Sequence, residues 1–402
     1  MKKLLVIPSL CALLLSAGFA VQPAFAAENA PAQAAVQQAT DGKQPPQFKD
    51  GKRPPLPPRF RRPQLSNTEA AAKLQDAYGY RYSELLKLLR AGHSYGDLNE
   101  ACLYAYLSGA PVEKVLQLRQ PATWGRVRMQ LGLTPKVYAE KYMQYQASYL
   151  PADSSVDRQA ALKYLKQGYP LSDILQAGKL AQKSGKTVAE VLPLRTVTCD
   201  WQQVEVKLGL GEKQYAKPAM GRGQRSGAGF AGLHTKDMTK ERAVRIFHED
   251  YLFDEAELGR LYDKYDFNAT EDICLVAYMA KKPLAEVEGL RDKYSWERMK
   301  YVLGLTPEVY FERCVDYQAR RLAERMDIPR KVTKKYMHMG YAMHHVNSAY
   351  LLAQKAGLDI SEVIDLKTPK NSWSDVAAKI GVSQADCQWM KDKISKDFGR
   401  HL

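Results

Sequence analysis

Beyond Thr68, apolar residues fall at helical spacing through most of this chain, and glycines or Ser/Thr/Asp/Pro positions punctuate them at intervals. Between Ser172 and Ser184 the apolar positions are Ile174, Leu175, Ala177, Leu180 and Ala181, one face of a helix that Gly185 closes. Thr187 with Glu190 then has the form of a capping box for a short helix holding Val188, Val191 and Leu192. Asp359 with Glu362 does the same ahead of Val363 and Ile364. Four tryptophans, Trp124, Trp201, Trp296 and Trp373, each follow a residue suited to capping a helix N-terminus: Thr123, Asp200, Ser295 and Ser372. The helices they open are expected to end at Gly132, Gly209, Gly304 and Gly381, where a left-handed backbone is least costly. Thr134-Pro135 and Thr306-Pro307 start the next helices with a cap followed by proline. No segment alternates with the period of a strand, so the expected fold class is all-α.

These landmarks recur four times, which predicts four tandem repeats of about four short helices each. A second order lies above the first. One constant shift in numbering carries Cys102, Leu118-Arg119, Trp124 and Gly132 onto Cys274, Leu290-Arg291, Trp296 and Gly304. The same shift carries Gly168, Gly185 and Trp201 onto Gly340, Gly357 and Trp373. The repeats are therefore expected as two two-repeat lobes, residues 68–217 and 242–402. The residues 218–241 between them hold five glycines from Gly221 to Gly232, which cannot sustain a packed helix and read as a flexible linker. The third repeat departs from the others, with Lys264 and Lys281 standing where they have glycine. The wording Gly-Tyr, Ser-Gly-Lys, Leu-Arg, Trp and Leu-Gly-Leu, as it stands from Gly168 to Leu210, resembles tandem helical repeats of exported bacterial proteins. That resemblance spans Thr68 to the C-terminus apart from the linker. It implies a helical-repeat fold and an exported location, and it carries no site residues.

The N-terminus gives an independent reason to expect export. Lys2 and Lys3 precede an apolar run from Leu4 to Val21, and Ala24-Phe25-Ala26 places small residues before Ala27, so residues 1–26 read as a signal peptide. Nothing after Ala27 is apolar for long enough to span a bilayer. The expected location is periplasmic, cell-surface or extracellular. Residues 27–67 are rich in Pro, Gln and Ala and read as a disordered tether, with a basic cluster at Lys52, Arg53, Arg59, Arg61 and Arg62. Against 44 acidic residues the chain carries 59 basic ones, and losing Lys2 and Lys3 leaves it strongly basic. That charge favours an anionic partner. The five cysteines beyond the leader make a poor disulfide framework, and Cys102 and Cys274 sit inside apolar helix patterns as small hydrophobes.

Candidate chemistry is sparse. Tyr138, Tyr142, Tyr145 and Tyr149 fall on one helical stripe beside Lys136 and Lys141, a row of rings able to stack on sugars or bases, or simply to pack between helices. The segment from Asn371 to Ile394 resembles the helix-turn-helix of DNA-binding proteins. Its second helix carries Asp386, Gln388, Trp389, Lys391 and Asp392, with no Arg to read guanine edges, so duplex DNA fits it poorly. His338, His344 and His345 are the one local group of metal-capable side chains, without the spacing of a zinc site. The cations of the Leu-Arg steps (Arg119, Arg195, Arg291) and Lys367 are placed to cap helix carbonyls, or alternatively to form an anion-binding ladder along one face. No catalytic residue, cofactor or metal is expected. The reading that results is a non-enzymatic envelope protein that binds an anionic polymer or a protein partner. Nucleic-acid binding through the helical corners and a cell-envelope hydrolase are the alternatives.

Overall fold

The computed structural model describes residues 65–151, 153–197, 199–211, 239–291 and 293–398, with side chains described to residue 394. The expected leader 1–26 lies outside the described residues, as do nearly all of the tether 27–67 and of the linker 218–241. Every regular element among the described residues is helical: 21 α-helices and one 3-10 turn, with no strand.

Capping explains where the helices begin. Ser66 and Glu69 form a capping box, so the first described helix starts at Asn67, one residue ahead of the expected Thr68. Thr239 caps helix Lys240–Tyr251 through its side chain, which accepts from the Arg242 N–H, two residues ahead of the expected 242. The four tryptophans each occupy the first position of a seven-residue helix: Trp124–Gln130, Trp201–Lys207, Trp296–Val302 and Trp373–Lys379. Asp200 and Ser372 close full capping boxes, and Ser295 accepts from the Arg298 N–H. Thr123 holds the cap position without a side-chain bond, and its hydroxyl is buried. Gly132, Gly209, Gly304 and Gly381 follow these helices with φ of 71°, 74°, 71° and 75°. At Lys281, where the sequence lacks the glycine, the chain still turns left-handed, with φ 54° on a lysine.

Helix length follows a single residue in one case. Helix Pro135–Ser148 is 14 residues long, whereas its sequence counterpart Pro307–Met326 runs to 20. Pro151 ends the first by barring the helical conformation of the residue before it; Ala323 stands at that register in the second and lets the helix continue.

By contacts, the described residues divide between Gln120 and Pro121. In the unit ending at Gln120, helices Asn67–Tyr78, Tyr82–Arg90, Tyr95–Ser108 and Val112–Arg119 close over Leu74, Leu85, Leu98, Cys102 and Tyr104. The other unit takes in residues on both sides of the glycine-rich segment, whereas the sequence division falls in that segment. Three contacts explain the difference. Helix Pro135–Ser148 packs on helix Pro307–Met326. Gly168 approaches the start of helix Trp296–Val302 so closely that a Cβ would lie 2.6 Å from the Glu297 carbonyl oxygen. Gly340 meets the start of helix Trp124–Gln130 in the same manner, against the Gly125 carbonyl. Within this unit, residues 239–398 bury two large apolar clusters, one around Phe247, Leu258, Ile273 and Val287, the other around Val315, Val346, Leu352 and Trp373.

Candidate functional site

The tyrosine stripe runs from the core to the surface. Tyr138 stacks on Tyr142 at 5.9 Å, Tyr142 lies 5.7 Å from Tyr145, and Tyr145 lies 4.8 Å from Tyr149. Tyr138 and Tyr142 are buried, with the Arg128 guanidinium 5.5 Å over Tyr138. Tyr145 is half-buried and Tyr149 exposed, so a ligand reaches only the outer pair.

The three histidines separate into two places. His338 bridges the Lys334 carbonyl, at 2.7 Å, and the Glu312 carboxylate, at 2.9 Å. His344 and His345 lie ring to ring at 4.2 Å, with His345 beside Trp373. Burial is the first cause that lowers both, His344 to about 4 and His345 well below the usual histidine range, and the Lys367 charge adds to it. Among the described residues no group of three or more His, Cys, Asp or Glu is placed to hold a metal ion. All five described cysteines are buried and unpaired.

Two of the repeated cations bind carbonyls. Arg195 donates to the carbonyls of Thr196 and Cys199, and Lys367 donates to those of Thr368 and Asn371. Each closes the loop that leads into a tryptophan helix. Trp201 is fixed further by its indole N–H, which donates to Asp173 at 3.2 Å. The register of Asp173 is His345 in the second half, and there the Trp373 indole N–H is buried without a hydrogen-bond partner.

Two further arrangements stand out; the first joins residues that the sequence did not single out, and the second lies at the helical corner that it did. The first is an ionic cluster beneath helix Lys240–Tyr251. The Asp250 carboxylate receives Arg325 at 2.6 Å and Arg321 at 3.3 Å, and Arg320 donates to the Asp250 carbonyl. Tyr251 and Tyr317 stack beside it at 5.6 Å with planes 3° apart, and burial pushes both phenols up. Glu271 adjoins this cluster. Burial, then the Asp272 charge, push its carboxyl to about 8 against the pull of Arg321, so it is mostly protonated at neutral pH. Its Oε2 has no hydrogen-bond partner. A buried carboxyl that keeps its proton near neutral pH is a group that general acid–base chemistry uses. Here Glu271 lies beside the stacked Tyr251 and Tyr317 and the Arg321 guanidinium.

The second arrangement is on the surface. Helix Gln384–Phe398 packs on helix Trp373–Lys379 across Gly381, the geometry of the helical corner read from sequence. Trp389 projects from it 41% exposed, with the Lys355 ammonium 4.5 Å and the Lys393 ammonium 5.6 Å from its ring centre. Lys355 also pairs with Asp386 at 3.0 Å. An exposed indole with two lysine ammonium groups over its ring brings aromatic surface and positive charge together.

No protein-family model matches the chain, and a search of curated proteins finds no match. Function therefore rests on the residues themselves. Among the described residues no helix is long and apolar enough to cross a membrane.

Proposed function

We propose that this chain is an exported, non-enzymatic helical-repeat protein that holds an anionic cell-envelope polymer on its surface. The leader-like N-terminus supports export, and the excess of basic over acidic residues supports an anionic ligand. The architecture proposed is four tandem repeats in two two-repeat halves. Its support is the recurrence of 14-residue helices at Tyr95–Ser108, Leu171–Ser184, Phe267–Ala280 and Met343–Ala356, each followed by a seven-residue tryptophan helix. Such arrays gain stability from neighbours that share a core and present long surfaces for extended ligands.

The observation that carries the ligand class is Trp389 with Lys355 and Lys393. A sugar ring would take the place of the Lys355 ammonium on the indole face, and acid groups along the polymer would then meet the two ammonium groups. Lysine charge alone would accept any polyanion. The exposed ring selects those with a flat apolar face to stack.

The test is a titration of the purified chain with an acidic polysaccharide, a neutral polysaccharide and duplex DNA at physiological salt. The acidic polysaccharide is expected to bind, and Trp389→Ala to weaken it about tenfold, as loss of one stacking contact of ~1–3 kcal/mol implies. Equal affinity for DNA, with no effect of Trp389→Ala, would favour the nucleic-acid reading instead. The hydrolase reading has one observation behind it, the protonated Glu271 near Asp272. Release of reducing ends from the polymer, abolished by Glu271→Gln, would replace the binding role with that activity.

A further inference from the structure

The unit that begins at Pro121 contains the same contact twice. Gly168 seats against the carbonyl of Glu297, and Gly340 seats against the carbonyl of Gly125. Beside the first, Arg298 lies 4.6 Å over the Tyr169 ring and donates to the Gln167 carbonyl at 2.8 Å. Beside the second, Arg126 lies 4.5 Å over the Tyr341 ring and pairs with Asp365 at 2.5 Å. The numbering shift that relates the two halves carries Gly125, Arg126, Gly168 and Tyr169 onto Glu297, Arg298, Gly340 and Tyr341. Each half thus offers a glycine-tyrosine notch and a tryptophan-helix arginine, and each receives the other's arginine in its own notch. The pair of helices between the two contacts, Pro135–Ser148 and Pro307–Met326, is related by the same shift. Reciprocal use of one patch by both partners is the signature of a two-fold, isologous interface.

We propose that residues 121–211 and 239–398 dock through one self-complementary surface used twice, so that the partner this surface fits is another copy of itself, and that two chains can trade halves across it to make a dimer. The two contacts differ in the other partners of each arginine and in their surroundings. Arg298 is flanked also by Tyr294 at 5.8 Å and Tyr301 at 5.0 Å, where the first half has Ala122 and Met129. Asp365 accepts from the Tyr341 hydroxyl as well as from Arg126, where the first half has Pro193. The shared part is backbone against glycine plus guanidinium against phenol, and it asks nothing of which half supplies which side. An exchange of halves between two chains needs no change in the contacts themselves. The proposal rests on the two-half reading and is independent of the ligand.

A specific protease site placed between Gly221 and Gly232 of the full chain allows the covalent tie to be cut after folding. The two fragments are expected to elute together as one species at micromolar concentration. Gly168→Val with Gly340→Val is expected to let them separate, with the helical circular-dichroism spectrum retained. Arg126→Glu, a milder change, should loosen the pair, and adding Asp365→Arg should restore it. Separation of the unmutated fragments with their helical spectrum intact would overturn the docking. For the exchange, tagged and untagged full-length chains are unfolded together and refolded at high concentration. Recovery of untagged chain with the tag is expected, and none with the double-glycine variant. Failure to recover it from the unmutated chains would overturn the self-complementary surface. Trp389→Ala is expected to leave all of these results unchanged, which separates this inference from the polymer reading.

Discussion

One place in the chain is built in two ways. In the unit ending at Gln120, the Tyr78 hydroxyl donates to Asn99 Oδ1 at 3.1 Å, a neutral bond between helices Asn67–Tyr78 and Tyr95–Ser108. At the same register in the second half stand Asp250 and Glu271, and the neutral bond is replaced by carboxyls held among Arg321, Arg325 and the Tyr251–Tyr317 stack. A helix pair of the same layout therefore tolerates either a neutral hydrogen bond or a network of charges. The difference lies in what each demands: the Tyr78–Asn99 bond joins two groups that carry no charge, whereas Asp250 at 7% exposure needs its arginines.

The largest expected effect comes from taking a cation out of the charged version. Arg321→Met leaves Asp250 buried with part of its counter-charge gone, and such losses run to ~3–5 kcal/mol. Hydrogen exchange of helix Lys240–Tyr251 should reveal it as lost protection. Protection within about 0.5 kcal/mol of the native value, the size of an ordinary surface change, would mean that Asp250 is solvated and the contrast with Tyr78 is superficial.

A smaller effect, with a sign set by pH, is expected at Glu271. Its folded value of about 8 exceeds the unfolded 4.5, so the folded chain keeps a proton that the unfolded chain releases. Its contribution to stability is full below about pH 4.5 and is lost as pH rises through about 8. Glu271→Gln should therefore match the native chain near pH 5 and exceed it at pH 9 by on the order of 2 kcal/mol, reduced from the full shift because the side chain keeps some solvent contact. Urea titrations at the two pH values check this. A variant equally weaker at both would place an ionised, paired carboxylate at 271.

The smallest effect belongs to the neutral version. Tyr78→Phe removes one partly buried hydrogen bond and should cost about 1 kcal/mol. That loss should be the same at pH 5 and pH 9, read from exchange in helix Tyr95–Ser108. A loss that varied with pH would erase the distinction between the two places.

The helices were legible because their signals are local. Asp200, Ser295 and Ser372 ahead of their tryptophans, or Thr187 with Glu190, each act within a turn of where they stand. Thr123 shows the limit. Its type fits a cap, but its hydroxyl is buried without the expected bond, a matter of packing that residue type does not encode. The tyrosine stripe was legible as a stripe, while the depth of each ring depends on which helices cover it. Asp250, Glu271 and Arg321 come from three helices far apart in sequence, and no periodicity joins them. One clue was present: Arg321 occupies the register of Tyr149 on an apolar helical stripe, and a cation in that place calls for a buried anion. The reciprocal docking had a clue too, since the notch glycines and the arginines share one numbering shift, but a sequence shift says nothing of which copy touches which.

Gly168 and Gly340 have φ of 83° and 90°, and both lean on main-chain carbonyls. Every amino acid carries the same carbonyl, so no replacement at Glu297 or Gly125 makes room for a side chain opposite. In a genetic screen, a strain damaged by Gly340→Ala should accordingly yield true revertants at codon 340 and no suppressors at codon 125, whereas damage at Arg126 should be repairable from codon 365.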